Sequence, residues 1–253
     1  MVKLVRDFTD RIMGPLAGKL SGRIELTVLA SIIAVAICGF VFAELAEEVM
    51  EGESHAFDTA ILLALRSAAD TADPLGPRWL EEMARDVTAF GGTGILIFFT
   101  LATVYYLFLI GKQRHAVLVF VATASGWLLS SALKMGFDRP RPDLVPHGAY
   151  VETASFPSGH AMMASLTYFT LAALIARAHP QIHAKLFVLS LASIIVVLVG
   201  ISRVYLGVHW PTDVIAGWTV GPAWALLCWL IARQLQRRGQ VEPEPGSGSH
   251  RVG

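Results

Sequence analysis

The sequence predicts an all-α, polytopic membrane protein with six transmembrane helices and amphipathic helices in the loop after the first. Three observations carry this. Of the 253 residues, 54% are hydrophobic and 16% charged, a balance outside that of soluble domains. Six apolar stretches without charged residues are long enough to cross a hydrocarbon core of roughly 30 Å as helices. None shows the period-2 alternation of barrel strands, and only helices and closed barrels satisfy their own backbone inside a bilayer.

The elements follow in order. Residues 1–23 form a basic N-terminal segment, and residues 26–43 the first span. This run starts too far in and is too long for a cleaved signal peptide, and no small-residue cleavage site ends it before Glu44, so it is expected to stay in the mature chain. The loop over about 50–90 holds two amphipathic stretches, 56–69 (AFDTAILLALRSAA) and 78–90 (RWLEEMARDVTAF). They either lie in the membrane interface or form a helical cap on the bundle. The remaining spans are expected at 87–111, 116–133, 153–176, 186–202 and 214–232. Gly217 and Gly221, followed by Pro222, mark close helix packing or a kink in the last one. Residues 24–235 therefore make one membrane domain, and 236–253, ending in EPEPGSGSHRVG, a flexible tail. Cys38 and Cys228 lie in apolar runs and read as small hydrophobes.

Basic residues set the orientation, because they are retained on the cytoplasmic side. The two tails and the turns 112–114 and 177–185 hold thirteen of the twenty Lys and Arg, against seven on the other side. Both termini are thus expected in the cytoplasm of a plasma (inner) membrane. The formal net charge of zero offers no electrostatic grip on nucleic acid.

Ionisable residues beside apolar helices are costly, so they point to function. Three clusters stand out: KMGFDRPRPD at 134–143, FPSGHAMMAS at 156–165 and SRVYLGVHWPTD at 202–213. The expected topology puts all three on the external face. Lys134 and Arg141 are donors suited to phosphate, with Pro140 and Pro142 stiffening the loop. Contact with lipid headgroups is the plainer alternative. Pro157-Ser158-Gly159-His160 reads as a helix start, where Ser158 caps, Gly159 admits a ligand to the backbone and the free N–H groups favour an anion. His160 can donate a proton there or serve as a structural donor. In the third cluster His209 and Asp213 have the form of an activated nucleophile, since a carboxylate on one imidazole nitrogen leaves the other free to attack. A pair stapling two helix ends would look the same. Arg203 supplies another bidentate donor.

Taken together, Lys134-x6-Arg141-Pro142, Pro157-Ser158-Gly159-His160 and Ser202-Arg203-x5-His209-x3-Asp213 resemble the three motifs of the type 2 phosphatidic acid phosphatase superfamily, with every defining position filled. The resemblance implies a membrane lipid phosphatase working on the external or periplasmic face. In it His209 attacks phosphorus to form a phosphohistidine, Asp213 orients His209, and His160 protonates the leaving group. Lys134, Arg141, Ser158, the Gly159 backbone and Arg203 would hold the phosphoryl oxygens. The resemblance implies neither metal nor cofactor, and the sequence lacks the carboxylate cluster of a two-metal phosphatase.

The partners implied are the bilayer and a lipid phosphate of the undecaprenyl diphosphate, phosphatidylglycerol phosphate or phosphatidic acid type. Arg139, beside the first motif, stands as a possible second-phosphate contact and tilts the reading toward a diphosphate. Tyr150 and Glu152, before the second motif, carry no readable headgroup preference. Two other readings remain: a phosphotransferase passing the phosphoryl group to another hydroxyl, and a transporter. The transporter fits poorly, because its polar groups would lie in mid-membrane helix breaks rather than at helix ends.

Overall fold

The computed structural model describes residues 26–147 and 153–237. The basic segment 1–23, Tyr150, Glu152 and the tail 242–253 lie outside the described residues. Among those described there are eight helices and no strand: α1 (Leu26–Glu51), α2 (His55–Ala64), α3 (Arg78–Ala89), α4 (Thr93–Leu109), α5 (Gln113–Phe137), α6 (Gly159–Ala178), α7 (Ile182–Tyr205) and α8 (Pro211–Arg237). The fold is all-α, as expected.

Helix α6 forms the axis, flanked by α7 and α8, while α1 lies along α8 and α4 beside α5. The first turns of α6 are buried on every side, from Ala161 to Tyr168. Helix α1 shows the opposite pattern: Ala46 is its one buried residue, and Leu26, Ile37 and Phe40 are exposed, as a lipid-facing helix requires. Two glycines let α8 approach α6. A Cβ at Gly217 would stand 2.9 Å from the Ser158 carbonyl oxygen and the Met162 nitrogen, and one at Gly221 would collide with the Met162 carbonyl. The small-residue spacing thus serves close packing.

Helices α1, α5, α6, α7 and α8 are long and apolar enough to cross a membrane, and α3 with α4 adds a sixth span only as a pair bent by 41°. The unbroken helix expected over 87–111 is therefore corrected. The N–H groups of Phe90, Gly91 and Gly92 donate to the carbonyls of Val87, Thr88 and Ala89, tight closures that end α3. Gly92 is extended at φ −71° and ψ 145° and starts α4. The Tyr168 hydroxyl donates to the Phe90 carbonyl at 2.8 Å and ties the break to α6. A search for charge-free runs passes over this break, since glycine carries no charge. The same criterion cuts other helices short, because Lys134, Arg203 and Asp213 lie in end turns of α5, α7 and α8.

The first loop packs on the bundle as a cap. Leu62 of α2 is fully buried against Val145, Ala161, Val204, Trp210 and Val214, and α3 seats Leu80 and Ala84 against Tyr205, Leu206 and Val208. An isolated bridge between Arg66 and Pro74 closes the turn between them. Their outer faces still expose Phe57, Ile61, Trp79 and Met83, so the cap also presents apolar surface.

Candidate active site

The three polar clusters meet at one end of the bundle, where α5 ends and α6 and α8 begin. Phe156 anchors the second cluster: it is fully buried, with its ring 5.8 Å from that of Phe42 and 4.9 Å from that of Phe137. The loop from α5 is tied to the approach to α6. The Ser155 N–H donates to the Arg139 carbonyl at 2.9 Å and its hydroxyl to that of Pro140 at 3.0 Å. Ser158 stands at the N-cap of α6, its hydroxyl accepting from the Ala161 N–H at 3.5 Å, and its own N–H donates to the Asp213 carbonyl at 2.9 Å. A Cβ at Gly159 would meet Lys134 Cε at 3.4 Å, so the lysine stem runs beside that backbone.

At the start of α8, Asp213 Oδ2 accepts the Trp210 N–H at 2.9 Å, the reach-back of an acidic side chain to the N-cap position that stabilises a helix start. The same oxygen lies 3.2 Å from His209 Nδ1. On the other side of the ring, Arg141 Nη1 is 3.2 Å from His209 Nε2. An arginine only donates, so Nε2 is the acceptor and Nδ1 carries the hydrogen toward Asp213. His209 is 1% exposed. Burial, reinforced by the Arg141, Arg203 and Lys134 cations, holds its imidazole well below the ordinary range and keeps it neutral.

The three cations have no carboxylate of their own among the described residues. Lys134 Nζ donates to the Ala154 carbonyl at 2.6 Å. Arg141 donates to the carbonyls of Thr153 at 2.7 Å and Val208 at 2.6 Å. Arg203 is buried, donating from Nη1 to the Thr88 hydroxyl at 3.1 Å while its Nε has no partner. Neutral oxygens thus hold positive charge around a neutral imidazole, and an anion is what such a pocket lacks. His160, half-buried in the first turn of α6, lies within electrostatic range of Arg203, His209, Lys134 and Arg141.

One candidate residue sits elsewhere than expected. The guanidinium of Arg139, expected as a possible second-phosphate contact, is engaged by side chains of this chain. Its Nη1 donates to Asp213 Oδ1 at 2.7 Å and to the Thr212 hydroxyl at 2.8 Å, and its Nη2 to Asp58 Oδ2 at 2.7 Å. Two carboxylates claim this guanidinium, which also stacks over the Trp210 ring at 5.6 Å. Asp58, Thr88 and Thr212 were not among the candidates. The one sequence signal for Asp58 is an acid set among the apolar residues of the 56–69 stretch, while a threonine in a helix gives none. A cavity of about 640 Å3 among α1, α5, α6 and α8 lies at the opposite end of the bundle, and no motif residue lines it. Chemistry rather than volume locates the site.

The chain is similar to known proteins over much of its length. Residues 115–237 match the model of the PAP2 superfamily. Phosphatidylglycerophosphatase B of Bacillus subtilis is 36% identical over 145 residues, 56% of this chain and 70% of that protein. An undecaprenyl-diphosphatase of Sulfolobus acidocaldarius is 45% identical over 67 residues, 26% of this chain and 28% of the other. The crystal structure of a transmembrane PAP2 type phosphatidylglycerolphosphate phosphatase from Bacillus subtilis superposes with a TM-score of 0.66 at 27% identity, covering 82% of this chain and 98% of that one. With its three motifs gathered at one end of an all-helical, multi-pass bundle, the chain belongs to the PAP2 superfamily of membrane phosphatases.

Proposed function

We propose that this protein hydrolyses the terminal phosphate of a membrane lipid through a phosphohistidine on His209, without a metal. The observation that carries this is the neutral, buried imidazole of His209, with one nitrogen on Asp213, the other on Arg141, and the Lys134 and Arg203 cations within electrostatic range, none of the three paired with a carboxylate among the described residues. His209 Nε2 attacks phosphorus and the bond from phosphorus to the lipid oxygen breaks. His160 gives its proton to that oxygen. Lys134, Arg141, Arg203, Ser158 and the Gly159 backbone hold the three equatorial oxygens, the electrostatic support that phosphoryl transfer chiefly needs. Water then attacks the phosphohistidine, His160 takes the proton, and inorganic phosphate leaves.

The relatives act, by their names, on a phosphatidylglycerol phosphate and on undecaprenyl diphosphate, and lipids of both kinds are the proposed substrates. Arg139 no longer argues for the diphosphate, since its fork is occupied. The excess of basic residues in the tails and in two turns supports an active site on the external side of the plasma membrane, with both termini inside.

The test is phosphate release from a panel of lipid monophosphates and diphosphates in mixed micelles. Release is expected in the presence of EDTA and lost in His209→Ala. His160→Ala is expected to accumulate an acid-labile phosphoenzyme with substrates whose leaving oxygen is already acidic. Turnover by His209→Ala at the wild-type rate would remove the mechanism, and transfer of labelled phosphate to a lipid hydroxyl instead of water would make the enzyme a phosphotransferase.

A further inference from the structure

Helix α8 begins with an unusual distribution of caps. Trp210, at its N-cap, has no side-chain acceptor for the free N–H groups of the first turn. Asp213 reaches back to the Trp210 N–H. The N–H of Thr212 is taken from outside: Asp58 Oδ1, on α2, accepts it at 2.9 Å. Asp58 Oδ2 accepts the Thr212 hydroxyl at 2.7 Å and Arg139 Nη2 at 2.7 Å. Asp58 is fully buried, and Ser54, one turn earlier, also accepts from Arg139 Nη2 at 3.3 Å. An acid of the first loop, outside the residues that match the superfamily, thus caps the helix that carries Asp213.

The contacts continue to the reacting atom. Arg139 bridges Asp58 Oδ2 and Asp213 Oδ1, each at 2.7 Å, and Asp213 Oδ2 faces His209 Nδ1. We propose that Asp58 is a positioning residue for His209: through Arg139 and the first turn of α8 it sets Asp213, so that His209 Nε2 is presented to the phosphoryl group. The proposal rests on His209 being the nucleophile. Asp58 touches neither substrate nor His209, so its effect falls on the step His209 performs and not on substrate capture. Its charge acts in a definite direction. Arg139 is shared between two acids, which leaves Asp213 more of its negative charge to spend on the His209 N–H. Removing the Asp58 charge gives Arg139 wholly to Asp213 and makes His209 harder to protonate. The other charged and titratable groups about His209 are Lys134 of α5, Arg141 of the following loop, His160 of α6 and Arg203 of α7.

The experiment compares wild type, Asp58→Asn and Leu62→Ala in detergent. Leu62 is buried on the same face of α2, against Trp210 and Val214, and its side chain takes part in none of the hydrogen bonds of the relay, so its truncation loosens the docking of α2 and leaves those bonds to form. For Asp58→Asn, kcat is expected to fall about 10-fold or more, the order lost when a group orienting a reacting side chain is removed, with KM unchanged. The acid limb of kcat/KM moves to lower pH. Leu62→Ala lowers thermal stability and leaves the acid limb in place. A higher KM with unchanged kcat in Asp58→Asn, or an acid limb that stays where it is, overturns the proposal. If Asp58→Asn does not fold, Asp58→Glu is the second variant: it keeps the charge and displaces it by one methylene, so kcat falls at constant KM, and a wild-type kcat overturns the proposal. The His209 titration followed by NMR needs no substrate. A fall in Asp58→Asn relative to wild type is expected, and no change overturns the positioning role even where the lipid phosphatase reading has failed.

Discussion

Arg141 Nη1 lies 3.2 Å from His209 Nε2, so a guanidinium stands at the nitrogen that meets phosphorus in the proposed mechanism. The other partners of Arg141 are carbonyls and the Thr153 hydroxyl, contacts that phosphoryl oxygens can replace with stronger, charge-assisted ones. In the proposed mechanism, substrate uncovers the nucleophile by taking its cover as a ligand.

Arg141→Gln tests this relationship through pH. Removing a cation 3.2 Å from the imidazole relieves one of the causes that hold His209 below its ordinary range. The acid limb of kcat/KM, which reports the free enzyme, is expected to move to higher pH, opposite to the Asp58→Asn shift. The rate at the plateau falls by about 100-fold or more, the order lost with one preorganised donor. An acid limb that does not move would show that Arg141 has no electrostatic hold on His209.

Stability should carry the same signature. His209 stays neutral in the folded protein well below the ordinary imidazole pKa, whereas the unfolded chain takes up a proton near about 6.5. Below that pH the unfolded state binds more protons, so stability declines as pH falls. The decline begins near about 6.5 and ends at the lowered folded pKa. Thermal midpoints of the purified protein measured between about pH 5 and 7 are expected to fall with acid, and His209→Gln to flatten that slope. Equal slopes in the two proteins would mean that His209 is charged when folded.

The candidate site of this chain is legible in its sequence because Lys134, Arg141, His160, Arg203, His209 and Asp213 are expensive residues in an apolar chain. Their spacing along helix ends brings them to one face. What supports them is not legible. Thr88 holds Arg203 from another helix, 115 positions earlier, and Asp58 holds Thr212 across 154 positions. Neither pairing has a local pattern, since each arises only when the first loop folds back over the bundle. Arg139 is the instructive case: the sequence shows a cation next to a phosphate motif, and only the fold shows two carboxylates at 2.7 Å that claim it. The break at Phe90–Gly92 escapes for a related reason, because two glycines interrupt a helix without interrupting its apolar character.

Gly217→Ala tests the approach of α8 to α6. The added methyl would stand 2.9 Å from Ala161 Cβ, the Met162 nitrogen and the Ser158 carbonyl, backbone that cannot turn aside. Overpacking of this kind costs roughly 1–3 kcal/mol. The strain falls where the Ser158 N–H donates to the Asp213 carbonyl, so loss of thermal stability and of kcat are expected together. Gly39→Ala in α1, where nothing lies within 4 Å, is the control and should leave both unchanged. Wild-type stability for Gly217→Ala would mean that the two helices do not approach as closely as described.

Gly91 offers a separate handle on His160. It occupies the bend between α3 and α4, and a Cβ there would come within 2.5 Å of Val199 Cγ1 and 3.2 Å of His160 Cβ and Cδ2. Val199 is fully buried in the core and has nowhere to go, so the displacement passes to the half-buried His160 ring. If His160 protonates the leaving lipid oxygen, Gly91→Ala slows substrates with poor leaving groups far more than activated ones such as aryl phosphates, for which the proton matters little. Its KM stays near wild type because the cations proposed to hold phosphate are untouched. Gly94→Ala, in the first turn of α4 with nothing within 4 Å, should behave as wild type on both substrates. A Gly91→Ala enzyme slowed equally on both would place the effect on the nucleophile or on folding and not on His160.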